Sequence, residues 1–477
     1  MSTLNPTYHP DYLENALQWH RNYDCVMDNI KRKKQEYLPN LGALPKEAQT
    51  NPQIAGLAAK IDKDWEDLTW RLANYVNIVT PTMNAITGAI MRNEPTFNTD
   101  DNPVLIGLDS NIDGKGNGLD QEAKQCINAI QWGSRAGWLV RSNPESATME
   151  DWGKGKKLPT AVFYDALHII DWDVGYVDGE EKLIYLSLLE SYQERSGGVY
   201  ISKLRVINHR INEGLCEYQI VEDTGFDDKW EPVVINGKQI DQIPFFMASS
   251  QSNEWNIDST PLTSLAEISL SIYVMNAYSN KAMILANEAK WHVDMGEMDE
   301  AGAKEMNPLG FTLAGRMPYY TKKGKLEVVQ PQFSPETENK VEKLFTQALR
   351  VGASLFEQQG NETATGAAIR SGASTASMST IANNVEDTMR NMIKFMAKYF
   401  EGTSYQYDPE SVVFKLNREY FDIEVNPQMI QTAYGALLEG KLPEISWFEL
   451  LKRARVVRGD MTYEEYQESV AEAGFVM

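Results

Sequence analysis

Residues 360–377, GNETATGAAIRSGASTAS, are built almost entirely of Gly, Ala, Ser and Thr, and this segment constrains the chain more than any other feature. Such side chains bury too little apolar surface to form a core, so the flanking residues must hold the segment in place. Upstream, Ser334 and Pro335 supply an N-cap and a proline at the first helical position. Val341, Leu344, Phe345, Ala348, Val351, Gly352 and Leu355 then recur at spacings of three and four. Downstream, Met378, Ile381, Val385, Met389, Met392, Ile393, Met396 and Phe400 repeat that period, with Asn383, Glu386, Arg390 and Lys394 between them. The segment therefore joins two amphipathic helices. Connections between helices usually run about 2 to 8 residues, and this one is longer, which predicts a loop that lets backbone approach a partner closely. A second reading stays open for its downstream half: an Ala-rich start to the next helix, where Ser and Thr are tolerated.

Composition sets outer limits. A chain of 477 residues exceeds one ordinary hydrophobic core, so two or more structural units are expected. Its formal net charge of −22 argues against a protein that grips nucleic acid by neutralising phosphates, though not against DNA passing by. No apolar run approaches the roughly 20 residues of a membrane span. The N-terminal residues lack the basic start and apolar middle of a signal peptide, so no membrane partner and a cytoplasmic site of synthesis are expected. Cys25, Cys126 and Cys216 stand far apart and read as buried small hydrophobes. The five histidines never fall at metal-ligand spacing, so neither a zinc site nor any other cofactor is expected.

Along the chain, residues 11–37 read as a helix ending in the basic run Lys31, Arg32, Lys33, Lys34, a solvated helix end rather than a nucleic-acid patch. Residues 64–91 give another helix or pair, with Pro81 as a kink or boundary. Asp109, Asn111, Asp113, Asn117 and Asp120 fall close to the spacing of a calcium loop, with Gly114 at the sharp turn. The fit is incomplete: Asp120 is a short carboxylate for a bidentate position, Gly116 stands where an apolar residue belongs, and no entering helix is evident at 103–108. A polar Gly-rich turn before a helix is the simpler reading.

Between 136 and 258 the texture changes to short apolar runs separated by turn formers such as Gly197-Gly198 and Asn236-Gly237, which predicts a meander of antiparallel strands. Acidic residues in that region, Asp171, Asp173, Asp178, Glu180 and Glu181, read as solvated turns rather than a carboxylate pair for catalysis. A long helix is expected over 260–290, a small insert of strands and turns over 291–333, and a returning helix from 334. Strands follow at 411–416 and 420–424, then helices at 427–439, 446–455 and 462–473.

This order of elements, together with several local phrases, resembles the bacteriophage portal proteins, in the branch often described only as a domain of unknown function. The phrases are YLP at 37–39, GSRAGWLV at 133–140, HIIDW at 168–172, IPFF at 243–246, TATGAAIRS at 363–371 and FKLNREYF at 414–421. The resemblance implies an α+β, elongated portal fold: a strand-rich wing over 1–259, stem helices over 260–290 and 334–359, and a small α/β clip over 291–333. It further implies a tunnel loop over 360–377, a wing helix and strands over 378–425, and a helical crown over 426–477. The implied function is a ring, usually a dodecamer, at one capsid vertex of the virion, assembled in the host cytoplasm, through which DNA is packaged and ejected. Implied partners are further copies of the chain, double-stranded DNA passing without tight binding, terminase, major capsid or scaffolding protein, and a tail adaptor. Asn361, Glu362, Thr363, Thr365 and Arg370 are then the residues expected at the DNA channel, with phosphate contact from Arg370, Asn361 and the threonine hydroxyls. No enzymatic activity is expected, since phosphate-loop and nucleophile-elbow motifs are absent. The alternatives are another capsid or tail-adaptor protein, or a soluble enzyme with an unrecognised site.

Overall fold

The structure is a computed structural model. It describes residues 6–38, 63, 69–143, 147–177, 179–222, 229–287, 290–293, 326–329, 336–353, 364–418, 420, 427–453, 456–457 and 461–472. The chain divides into two compact units, Met1–Leu416 and Asn417–Met477.

In the first unit, α1 (Pro10–Val26) starts on a proline, with the His9 ring accepting a hydrogen bond from the Asp11 amide at 3.2 Å. It ends at Val26 rather than continuing to residue 37, because Asp28 turns the chain with φ 56°. The basic run beyond it is engaged locally: Lys33 Nζ lies 2.6 Å from the buried Asp24 carboxylate, and the Lys34 ammonium sits 4.3 Å over the Trp70 ring. Helix α2 (Val79–Ile90) carries Pro81 in its first turn, where a missing N–H costs nothing, so the proline marks a boundary. A short strand β1 (Thr96–Phe97) precedes α3 (Pro103–Ser110), capped by Asn102. This is the entering helix that the sequence pattern does not reveal. Helix α4 (Leu119–Gly133) follows and ends on Ser134 at φ 64°, a left-handed residue that reverses the chain into β2 (Arg135–Arg141).

A capping box between Thr148 and Asp151 opens α5 (Met149–Gly153). The expected meander then appears as β3 (Thr160–Asp165), β4 (Ile169–Val177), β5 (Glu180–Ser196), β6 (Val199–Asn212), β7 (Leu215–Glu222), β8 (Glu231–Pro232), β9 (Val234–Ile235), β10 (Lys238–Gln239) and β11 (Phe245–Ser249). All of its pairings are antiparallel. They form a three-stranded sheet in the order β11-β2-β3, a five-stranded sheet in the order β4-β5-β6-β7-β8, and the small β9-β10 hairpin. β2 is the central strand of the smaller sheet and is buried along almost its whole length, so its run AGWLV lacks the alternation of a half-exposed strand. Gly137 is required there, since a Cβ would come within 2.6 Å of the Phe246 carbonyl oxygen.

Helix α6 (Thr263–Asn287) is the long helix expected from residue 260, and Lys290 already belongs to the next strand. Within the expected insert, the described residues form two antiparallel strands, β12 (Lys290–Val293) and β13 (Leu326–Val329). The rest of 291–333 lies outside the described residues. Helix α7 (Glu336–Ala353) returns, and α8 (Ala364–Met396) follows. Here the structure corrects the expected loop: residues 364–377 are helical, so the helix-start reading weighed for the downstream half is the one observed, and the helix begins further upstream than that half. The segment's alanines favour the helix, its glycines and hydroxyl side chains oppose it, and the buried half from Met378 onward supplies a formed helix for the small residues to extend. Strand β14 (Phe414–Lys415) is shorter than the expected 411–416 and pairs with β1. Tyr420 is not in a strand, and 421–424 lie outside the described residues.

The second unit holds α9 (Pro427–Leu438), α10 (Glu444–Arg453) and α11 (Tyr463–Glu472), packed around Trp447, Phe448, Leu451 and Tyr466. Gly440 at φ 69° ends α9 in the left-handed conformation. Thr462 and Glu465 cap α11 reciprocally, at 3.0 and 3.2 Å. Among the described residues no helix is long and apolar enough to cross a membrane.

Candidate functional site

The candidate site is the run α6, β12–β13, α7, α8, and each piece is held differently. Polar contacts fix the base of α6. Asn22 donates to the Thr263 hydroxyl at 3.0 Å, the Leu262 amide donates to the Gln131 carbonyl at 3.1 Å, and the Ser269 hydroxyl lies 3.2 Å from both the Tyr75 hydroxyl and the Val76 carbonyl. Higher up, α7 packs along α6. The two helices leave an open groove of about 370 Å³ lined by Asn276, Ser279, Asn280, Met283, Val341, Glu342 and Phe345.

Arg135 holds the segment that leads into α6. It is fully buried at the start of β2, yet its Nη2 donates to the carbonyls of Trp255 and Asn256 at 2.7 and 2.9 Å. The guanidinium stacks 4.6 Å from the Trp172 ring. Burial pushes its pKa down to about 10, so it keeps its charge at neutral pH. The sequence offered one signal for this role, a charged residue opening an otherwise apolar strand, and the strand pattern alone passes over it.

Helix α8 has two halves of opposite character. From Met378 onward, Ile381, Val385, Met389, Met392, Ile393 and Met396 are all buried. Asn384 donates to the Ser249 carbonyl at 2.8 Å and Thr388 to the Met247 carbonyl at 3.0 Å, which ties the helix to β11. The buried Glu386 carboxylate accepts from the Leu416 amide at 3.0 Å, and the Tyr407 hydroxyl donates to the Ile393 carbonyl at 2.6 Å. The upstream half, 364–377, continues the same helix with only small side chains and Ile369 and Arg370. Of the residues expected at the channel, Thr365 and Arg370 lie in this half. Their positions differ by about 140° around the helix axis, so they do not share one face. Asn361, Glu362 and Thr363 lie outside the described residues.

In the calcium-like loop between α3 and α4, Asp113 and Asn111 use side-chain oxygens for hydrogen bonds within the loop. Asp113 Oδ1 accepts from the amides of Lys115 and Asn117 at 2.7 and 3.0 Å, and its Oδ2 accepts from the Asn117 side chain at 2.8 Å. Asn111 Oδ1 accepts from the Gly116 amide at 2.7 Å. Burial, with Asp120 nearby, raises the pKa of Asp109, which disfavours the charged form a cation needs. Among the described residues no group of three or more His, Cys, Asp or Glu side chains is set to hold a metal. All three cysteines are buried free thiols, and burial raises their pKa values.

The family model described as "Domain of unknown function (DUF4055)" matches residues 261–400, from just before α6 to the turn that ends α8. No curated protein matches the chain. Among solved structures, a chain in "Neck of empty GTA particle computed with C6 symmetry" is similar at 14% identity, with 82% of this chain and 93% of that chain covered and a TM-score of 0.37.

Proposed function

We propose that this chain is the repeating subunit of a phage portal: a closed ring at one capsid vertex that conducts DNA during packaging and ejection and gives terminase and tail-adaptor proteins a place to dock. It performs no chemistry of its own. The observation that carries the reading is the run from α6 to α8, in which two long helices joined through a strand pair lead to a helix with a small-residue front half and a firmly anchored rear half. The family match coincides with that run. A small-residue face suits the inner wall of a conduit, because backbone can approach a moving duplex with few side chains in the way. The acidic balance of the chain fits the same role, since a wall that neutralised phosphates would hold DNA rather than pass it. Arg370 is then the one cation of the 360–377 segment that could touch phosphate.

Negative-stain imaging and mass measurement of the purified protein test the reading. Closed rings with a central hole, twelve-fold in the form the resemblance implies, support it. A monomer at every concentration, or ATP hydrolysis by the pure protein, overturns it.

A further inference from the structure

The hairpin of β5 and β6 extends well past its own sheet. β4 pairs with β5 only as far as Leu188, and β7 pairs with β6 only from Arg205. The two strands nevertheless stay paired with each other out to Ser196 and Val199, where Gly197 and Gly198, both at positive φ, make the turn. Among the described residues, the overhanging ribbon has no strand on either edge, and residues 193–195 and 199–202 are exposed. Its tip carries three consecutive apolar residues: Val199 and Tyr200, each 65% exposed, and Ile201, 47% exposed. A two-stranded hairpin without a packed face is marginal in water, so an apolar tip of this kind is suited to being covered.

The opposite end of the same sheet is its electrostatic complement. At the tip, Glu194 is paired with Lys203, which leaves the exposed Arg195, stacked 5.9 Å from the Tyr200 ring, as the local excess charge. At the β4–β5 end, Tyr176 is 81% exposed and directly opposite Glu181 in the register, next to the exposed Glu180, and these two carboxylates outnumber the exposed Lys182 that follows them on β5. One end of the sheet is therefore aromatic, aliphatic and cationic, and the other is aromatic and acidic. Along β5 the two ends are roughly 46 Å apart, so they cannot meet within one chain.

We propose that the β5–β6 tip of one copy seats against the β4–β5 end of the next, with Tyr200 packing on Tyr176 and Arg195 facing Glu180 and Glu181. The contact is heterologous, using two different patches on each subunit, which is the kind that closes a ring. It rests on the ring reading above and adds the surface through which neighbours recognise one another.

Two experiments test it. Arg195→Glu should raise the protein concentration needed for half-assembly by about tenfold, read by mass photometry, and adding Glu180→Lys and Glu181→Lys to it should restore assembly. In a Tyr176→Cys, Tyr200→Cys double variant, oxidation should give a ladder of covalently linked multimers that neither single variant gives. The cysteine variants leave the charges untouched and provide a check that does not depend on charge reversal being tolerated. Assembled rings that ignore the charge reversal and yield no ladder overturn this contact while leaving the ring standing. A chain that never assembles overturns both.

Discussion

Arg141, at the end of β2, places Nη2 2.8 Å from Oε1 of Glu190 on β5, and this pair ties the three-stranded sheet to the five-stranded one. Arg205 reaches the other carboxylate oxygen at 2.6 Å, and the Tyr164 hydroxyl also donates to Glu190. Burial alone would raise the Glu190 pKa, but Arg141, Tyr164 and Arg205 more than offset it and hold the carboxyl below its ordinary value.

Glu190→Gln should therefore destabilise the protein by about 2 kcal/mol. That is less than the 3–5 kcal/mol of a fully buried pair, because both arginine side chains are 30% exposed. The sign of the pH dependence follows from the lowered pKa: the contribution is complete above the ordinary carboxylate value and is lost as pH falls through the depressed one. Urea unfolding should show wild type losing stability below about pH 4 and the variant losing less.

Glu122 shows the opposite behaviour. It is 2% exposed and accepts from the Trp138 indole at 2.7 Å, yet burial dominates and its pKa is raised. A carboxyl with a raised folded pKa works against folding once pH passes its unfolded value. Glu122→Gln keeps an acceptor for the indole and removes the charge. It should match or exceed wild-type stability at pH 7 by up to about 1 kcal/mol, with the gap closing near pH 4. Glu122→Leu should instead cost about 1–3 kcal/mol at both pH values, because the buried indole N–H loses its partner.

These two glutamates also mark how far the sequence was legible. Periodicity exposes the helix around Met389 and the strands around Val206, because one buried face imposes a repeat of 3.6 or 2 on the apolar residues. It does not say that Glu190 meets Arg141 or that Arg135 grips the Trp255 carbonyl, since those contacts join strands and loops whose distance in space no local pattern encodes. The helical state of 364–377 is only partly legible, as one of two readings of its downstream half, for another reason. Gly366 and Gly372 weigh against a helix, while Ala367, Ala368 and Ala373 weigh for it, and the anchored half beyond Met378 supplies a helix already formed for the small residues to extend. Helix α3 leaves no mark in the sequence pattern because its eight residues are too few to display a period.

The loop between α3 and α4 should be indifferent to calcium. Asp113 already accepts three hydrogen bonds within the loop, so thermal unfolding in millimolar calcium and in chelator should coincide. Asp113→Ala should lower stability by about 1 kcal/mol under both conditions, as the loss of a backbone cap does. A calcium-dependent shift in Tm that Asp113→Ala abolishes would show that the loop opens to bind the ion.

The helical front half of α8 makes the sharpest demand on the proposed conduit. Gly372 lies inside a helix, so Gly372→Ala should leave stability unchanged or raise it by up to about 1 kcal/mol, whereas Gly372→Pro should lower it by about 3 kcal/mol. Hydrogen exchange should read the same contrast locally, with amides around residue 372 more protected in the alanine variant and less protected in the proline variant. Function separates further, because Arg370→Ala removes the cation without altering helix propensity. If this segment lines the DNA path, Arg370→Ala should assemble normally but fill capsids more slowly in a packaging assay, and Gly372→Pro should also fail to retain full-length DNA. Normal packaging by both variants would leave 364–377 a structural helix with no part in guiding the duplex.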